Sequence, residues 1–321
     1  MKILITGSAG FIGYHLAKCL LKDKKHKIFG LDSLNNYYSL SLKKNRLKEL
    51  LKFKNFKFFK INLKNKKKIT SLFEKNKLDI VIHLAAQAGV RYSVQNPQSY
   101  LDNNIISFFN ILDLSRKFKI KHFIFASTSS VYGDQPKFPT HENCNTDKPL
   151  SFYAATKKSN EVLAHSYSNI FKLPCTGLRF FTVYGPYGRP DMALFKFTKN
   201  ILKNRKIELF NSGNHDRDFT YIDDICEFIV RILNKPLNDN IPFNVINLGN
   251  GKSRKLKDYI SNLEKSLGKK SIKINLKLQK GDILKTHADI KKIAKKTKYK
   301  PKTKIEDGIT KFVDWYKSYY K

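Results

Sequence analysis

The first thirteen residues constrain this chain more than any other stretch. Lys2-Ile3-Leu4-Ile5-Thr6 is a short apolar run and Gly7-Ser8-Ala9-Gly10-Phe11-Ile12-Gly13 is a glycine-punctuated turn. Behind the turn, Leu16, Ala17, Leu20 and Leu21 recur at helical spacing. Strand, tight glycine turn and helix, in that order, make the βα unit that binds dinucleotides. Small residues let the backbone approach a pyrophosphate closely, and the unpaired N–H groups of the helix N-terminus favour its negative charge. An acid is expected about 20 residues further on. Asp32 closes the next apolar run, Ile28-Phe29-Gly30-Leu31, where its carboxylate can accept from an adenosine ribose hydroxyl. The same carboxylate repels a 2′-phosphate, so NAD is expected rather than NADP.

Apolar runs and helical patterns alternate for the next 150 or so positions. Residues 40–51 read as a Lys-rich helix, 56–61 as a strand, and Asp79-Ile80-Val81-Ile82-His83-Leu84-Ala85-Ala86 as a buried parallel strand. The small-residue end of that run, Leu84-Ala85-Ala86, is expected against the cofactor. A helix over 97–118, a strand over 122–127, a loop over 134–150, a helix over 152–171 and a strand over 174–180 come next. This alternation predicts an α/β fold, a Rossmann-type doubly wound parallel sheet. From Tyr184 the texture changes to short mixed elements, so the chain divides into a dinucleotide-binding domain over 1–180 and a smaller α+β substrate domain over 181–321. Residues 243–248 are the one later run suited to rejoin the main sheet, and 305–320 read as a terminal helix.

The formal charge of +36 suggests nucleic acid at first. Yet all but nine of the 62 basic residues are lysine, scattered through nearly every segment. Phosphate and base recognition favours clustered arginine forks and aromatic platforms, so no specific nucleic-acid partner is expected. Four widely spaced cysteines show no C-x-x-C pair, which points away from a zinc site or a disulfide framework and towards a reducing compartment. A strand beginning at Lys2 leaves no room for a signal peptide, and no apolar run approaches a membrane span. A soluble, cytoplasmic protein without membrane or metal is the expectation.

Tyr153-Ala154-Ala155-Thr156-Lys157 carries the chemistry. Positions i and i+4 share a helix face, so phenol and ammonium can address one substrate atom. A free tyrosine has a pKa near 10; a nearby ammonium and a cationic nicotinamide would pull it down and make Tyr153 a usable base. Thr128 ends a strand at the carboxyl edge of the sheet, where α/β ligands bind, and is placed to steady the proton. His83 lies inside a buried strand and reads as a satisfied core residue.

Several stretches together resemble the extended branch of the short-chain dehydrogenase/reductases, which modifies sugar nucleotides. They are the G-x-x-G-x-x-G turn, Ala85 to Ser93, Thr128 to Gly133, Y-x-x-x-K, Arg179 to Pro186, Gly188 to Ala193 and Arg217 to Asp224. The A-G-V-R-Y-S and G-R-P-D-M-A stretches are similar to the UDP-glucuronate 4-epimerase group in particular. The resemblance implies further cofactor contacts from Phe11, Ile12, Asn35, Leu63, Asn103 and Phe180. It implies one more from Asn62, where relatives usually carry Asp. Lys157 would hold the nicotinamide ribose. The implied activity is NAD-dependent 4-epimerisation of a UDP-sugar through a transient 4-keto intermediate, by a homodimer packed through helices 97–118 and 152–171.

Related dehydratases and decarboxylases place an acid in the corner held here by Ser129 and Ser130, and glucose epimerases tend to carry Asn where Thr182 stands. Neutral hydroxyls there, with Arg91 and Arg189 for charge, would suit a hexuronic carboxylate. Arg217 resembles the family's diphosphate-binding arginine, and Asp282 is placed to meet the nucleotide ribose. Alternatives within the class are UDP-glucose and UDP-N-acetylglucosamine epimerases. A non-catalytic NAD sensor would be expected to lose Tyr153 or Lys157, and a polyanion binder would need a localised basic patch.

Overall fold

In the computed structural model, which describes residues 1–279 and 281–320, strands and helices alternate through the first half of the chain. They run β1 (Lys2–Thr6), α1 (Phe11–Leu21), β2 (Lys27–Asp32), α2 (Leu40–Leu50), β3 (Phe56–Lys60), α3 (Lys66–Asn76) and β4 (Ile80–His83). Helices α4 (Val90–Gln95), α5 (Pro97–Tyr100) and α6 (Ser107–Lys117) come next, then β5 (His122–Thr128), α7 (Phe152–Phe171) and β6 (Cys175–Phe180). The strands form one parallel sheet in the order Phe243–Leu248, β6, β5, β4, β1, β2, β3. β4 and β6 are buried at every position, as strands covered by helices on both faces must be. The chain winds from β1 through β2 to β3, then crosses back to β4 on the other side of β1. A crevice therefore opens beyond the carboxyl ends of β1 and β4, where Thr6 and His83 are register partners.

The helix expected over 97–118 is interrupted. Between α5 and α6 the backbone widens into a π-helical turn, Leu101–Ile106, in which the Ser107 hydroxyl donates to Asp102 O at 2.8 Å. An extra residue in the turn rotates the helix beyond it. Asn104 is thereby aimed inward, donating to Gln87 O at 3.0 Å and accepting from Gln87 N at 2.8 Å. Helix α7 begins at Ser151, whose hydroxyl accepts from Ala154 N at 3.2 Å.

The C-terminal half adds β7 (Thr182–Tyr184), α8 (Ala193–Leu202), β8 (Lys206–Phe210), β9 (Asp216–Tyr221) and α9 (Ile222–Ile232). After β10 (Phe243–Leu248) come β11 (Ser253–Lys255), α10 (Leu256–Leu267), β12 (Ile272–Leu276), α11 (Lys291–Thr297) and α12 (Ile305–Tyr319). β7, β9 and β11 make a small second sheet, and β8 pairs with β12. One apolar cluster runs from Ile3 and Leu16 through Ile225 and Phe228 to Tyr259, Phe312 and Tyr316, so a single core crosses residue 180. Among the described residues no helix is long and apolar enough to cross a membrane.

Candidate active site

The glycine turn is built for close approach. Gly7 has φ +73°, and a Cβ on it would lie 2.8 Å from Ala85 N; one on Gly13 would lie 2.1 Å from Gly7 O. Any side chain at either position would force the turn open. Gly7 N and Ser8 N donate to Leu31 O at 2.7 and 3.2 Å, which ties the turn to the end of β2. Helix α1 has Gly10 as its N-cap, no capping side chain and no acid in its first turn. Its leading N–H groups are thus left to an anion. The Asp32 carboxylate is oriented by Ala9 N at 3.2 Å and Leu34 N at 2.8 Å. A cradle that a Cβ would fill, an uncapped helix start and an oriented carboxylate fit a dinucleotide.

One cleft runs along the carboxyl edge of the sheet. It gathers Gly7, Gly10, Phe11, Ile12, Gly13, Asp32, Asn35, Asn62, Leu63, Leu84, Ala85, Ala86, Asn103, Thr128, Tyr153, Lys157, Phe180 and Arg189. Asn62 Oδ1 accepts from Lys64 N at 3.0 Å, and Asn103 Nδ2 donates to Ser99 O at 2.7 Å. Among the described residues the other end of each amide has no hydrogen-bond partner.

Lys43, Tyr37, Gln87 and Met192 also line the cleft and escaped the sequence reading. Lys43 is buried beside Asp32; its Nζ donates to Asn35 O at 2.8 Å and Oδ1 at 2.6 Å and sits 4.4 Å over the Tyr38 ring. Burial lowers its pKa, and Asp32 opposes that shift. It shares the buried face of α2 with Leu42, Arg46 and Leu50, and no signal in so Lys-rich a helix singles it out.

Tyr153, Thr128 and Lys157 converge at one end of the cleft. The Thr128 hydroxyl accepts from Ser130 N and donates to Ser130 Oγ, both at 3.2 Å, so it caps the next turn; it also works to lower the pKa of the Tyr153 phenol. The expectation that the ammonium lowers the Tyr153 pKa needs correction for the protein alone. Burial pushes the phenol above its ordinary value, and the forces opposing it are the Thr128 hydroxyl and the Arg189 charge. Lys157 is not among them; it is 2% exposed, burial pushes its pKa down to about 8, and its Nζ donates to Ala126 O at 2.9 Å. His83 is buried, with its pKa pushed down to about 3, and bonds Thr6 Oγ1 at 2.9 Å.

The expected substrate residues fall into two groups. Arg189 borders the cleft, paired with Asp191 through Nε at 3.0 Å and Nη2 at 2.5 Å. Thr182 lies in an adjoining hollow that shares Phe11, Arg189 and Met192 with the cleft. Ser129 and Ser130 form the half-buried turn after Thr128.

Arg91, Arg217 and Asp282 gather farther out. Arg91, half exposed, pairs with Asp282 at 3.3 Å and covers the Phe210 ring at 4.3 Å. Arg217 makes no ion pair with Asp218 or Asp223; its Nη1 donates to Asp216 O at 3.0 Å and Leu284 O at 2.9 Å. Burial lowers its pKa while Asp282 and Asp216 oppose that. Asp218 instead takes backbone N–H groups from Asn250, Gly251 and Ala288 at 2.6–3.0 Å.

Against known proteins, the NAD dependent epimerase/dehydratase family matches residues 3–249. Protein CapI of Staphylococcus aureus is 50% identical, with 100% of both chains covered. The UDP-glucuronate 4-epimerase of Thermodesulfobacterium geofontis is 44% identical over 98% of this chain and 95% of its own. Among solved structures, the UDP-glucuronic acid 4-epimerase from Bacillus cereus in complex with UDP-glucuronic acid and NAD is 38% identical. It superposes with a TM-score of 0.94 over 100% of each chain.

Proposed function

This chain belongs to the NAD dependent epimerase/dehydratase family, and we propose that it interconverts UDP-glucuronate and UDP-galacturonate by NAD-dependent 4-epimerisation. The observation that carries the reading is the meeting of Tyr153, Thr128, Lys157 and Arg189 in one cleft with the glycine turn and Asp32. Relatives of known activity act on the same uronate along nearly the whole length of the chain. Gly7, Gly10, Gly13 and Asp32 would hold the dinucleotide, with Lys157 at its nicotinamide ribose. What the bound dinucleotide supplies is a reversible hydride acceptor for the sugar C4 and a positive charge near the phenol.

The chain's own residues handle the proton. Tyr153 Oη takes it from the sugar 4-hydroxyl and returns it after the 4-keto sugar has turned over. Thr128 Oγ1, by turning its proton from Ser130 Oγ to that phenol, would steady it as charge develops. The Lys157 ammonium is oriented by Ala126 O at 2.9 Å. Ser129, Ser130 and Thr182 present neutral hydroxyls and Arg189 a cation, while no acid stands in the Thr128 corner to promote elimination or loss of CO2. Arg217 and Asp282 take the diphosphate and nucleotide ribose.

Side-by-side assays with UDP-glucuronate and UDP-glucose test this. Two lost charge-assisted contacts at roughly 1.5–3 kcal/mol each give at least about a hundredfold advantage in kcat/KM for the uronate. Equal rates, or a UDP-pentose as main product, would refute it. We further place the enzyme in the cytoplasm, supplying surface polysaccharide synthesis. A homodimer would bury the exposed Phe109 of α6 and Val162, Ile170 and Phe171 of α7; Val162→Glu should then sediment as a monomer, and an unchanged sedimentation coefficient would count against that interface.

A further inference from the structure

Arg189 lies in the loop between β7 and α8, in the C-terminal half, yet the backbone leading to it is gripped from the dinucleotide half. Three consecutive carbonyls are taken. His15, in the first turns of α1, bonds Pro186 O through Nε2 at 2.8 Å. A carbonyl only accepts, so Nε2 carries the proton. Burial pushes the ring's pKa down to about 4, which leaves it neutral at physiological pH. Arg46, in α2, donates from Nη2 to Tyr187 O at 2.6 Å and Gly188 O at 3.2 Å.

The other arm of the same guanidinium reaches the opposite way. Nη1 donates to Ala9 O in the glycine turn at 2.9 Å and to the Tyr38 hydroxyl, beside Asp32's loop, at 2.7 Å. Arg46 is 0% exposed and does not line the cleft. All four acceptors are neutral oxygens, and among the described residues no carboxylate pairs with it. A buried guanidinium without an acid is retained only at a desolvation penalty; here both terminal nitrogens go to registering three segments against one another, and among the described residues Nε has no partner.

The loop itself is strained at the point of grip. Tyr187 has φ +54°, a conformation that side-chain-bearing residues adopt rarely and hold only where the surroundings over-determine it. Its carbonyl is the one Arg46 holds most closely, and its ring packs between Tyr14 at 5.0 Å and Trp315 at 4.9 Å. Two residues on, Arg189 points into the cleft.

We propose that Arg46, assisted by His15, straps the 185–190 loop to the dinucleotide half and is the positioning residue that sets where Arg189 meets the sugar carboxylate. The inference rests on the uronate reading given above. Planar guanidinium geometry is what the strap needs. A lysine ammonium keeps the charge but cannot hold Ala9 O and Gly188 O from two arms at once.

The test uses Arg46→Lys and His15→Phe in the NAD-containing enzyme, with UDP-glucuronate as substrate and UDP, which has no sugar, as competitive inhibitor. For Arg46→Lys, KM for UDP-glucuronate should rise at least about tenfold while the inhibition constant of UDP stays within about twofold. His15→Phe should shift KM the same way by less. Trp315 is the only tryptophan and packs against Tyr187 with ring centroids 4.9 Å apart, so its emission in ligand-free Arg46→Lys should differ from the parent's. Parent-like KM and emission in Arg46→Lys would overturn the proposal. So would a parallel rise in KM and in the UDP constant, the mark of general loosening. If the parent turned over UDP-glucose and not UDP-glucuronate, the substrate reading would fail, and Trp315 emission would still decide the strap.

Discussion

Glu161 and Arg179 form an ion pair beneath the reacting end of the cleft, and breaking it should be felt in stability and turnover together. The side chains are 5% and 4% exposed. Arg179 Nε meets Glu161 Oε1 at 2.8 Å and Nη2 meets Oε2 at 2.7 Å, while Ser127 Oγ adds a third donor to Oε1 at 2.6 Å. Glu161→Ala leaves the guanidinium buried with Glu142 O, at 2.9 Å, and the Tyr132 ring face as its remaining polar company. Removing one partner of such a pair costs about 3–5 kcal/mol. An entropy of unfolding near 2.1 cal/mol/K per residue amounts to about 0.7 kcal/mol/K for a chain of this length. A 4 kcal/mol loss then lowers Tm by about 6 °C.

Glu161→Leu combined with Arg179→Met should recover most of that loss, because two matched apolar chains avoid the desolvation penalty. Glu161 lies one turn past Lys157 on α7, and Ser127 stands between Ala126, whose carbonyl holds Lys157, and Thr128. The kcat of Glu161→Ala should therefore also fall. Calorimetry at pH 7 on the parent, Glu161→Leu, Arg179→Met and the double variant measures the cycle, with Glu161→Ala alongside. A Tm loss under about 2 °C for Glu161→Ala, or a double variant as unstable as the single one, would refute the reasoning.

Tyr153→Phe deletes one oxygen and should lower kcat by roughly a thousandfold or more while the purified protein still releases NAD on denaturation; near-parental turnover would place the base elsewhere. Lys157 is driven from an ordinary pKa of 10.5 down to about 8 by burial, so between these values the unfolded chain holds more protons than the folded one. Its contribution makes the ligand-free protein more stable as pH rises through that window, and the full penalty, about 3 kcal/mol, applies below it. Lys157→Met should therefore gain stability relative to the parent below pH 8, and the gain should shrink towards pH 10.5 in denaturant titrations; a pH-independent difference would contradict the assignment.

Local signals were enough for the parts of this protein that are local in the chain. The glycine turn, the Tyr153–Lys157 spacing, the alternation of apolar runs with helical patterns and His83 inside an apolar run each depend on residues a few positions apart, where periodicity and turn chemistry act, and Asp32 follows from the fixed length of one βαβ unit. The helix over 97–118 shows the limit: its apolar pattern is continuous, but the π turn at Leu101–Ile106 is stabilised by what Asn104 reaches, the backbone of Gln87. Lys43 and Arg46 lie in a helix where lysine is the background, and nothing in their spacing separates a buried cation from a solvated one. The Tyr153 pKa is set by burial, which belongs to the packed state alone. The grip of Arg46 on Ala9, Tyr187 and Gly188 joins positions far apart in the chain. It exists because the crossover to β4 and the return of the C-terminal half bring those carbonyls to one guanidinium, and no pairwise rule along the sequence encodes that meeting.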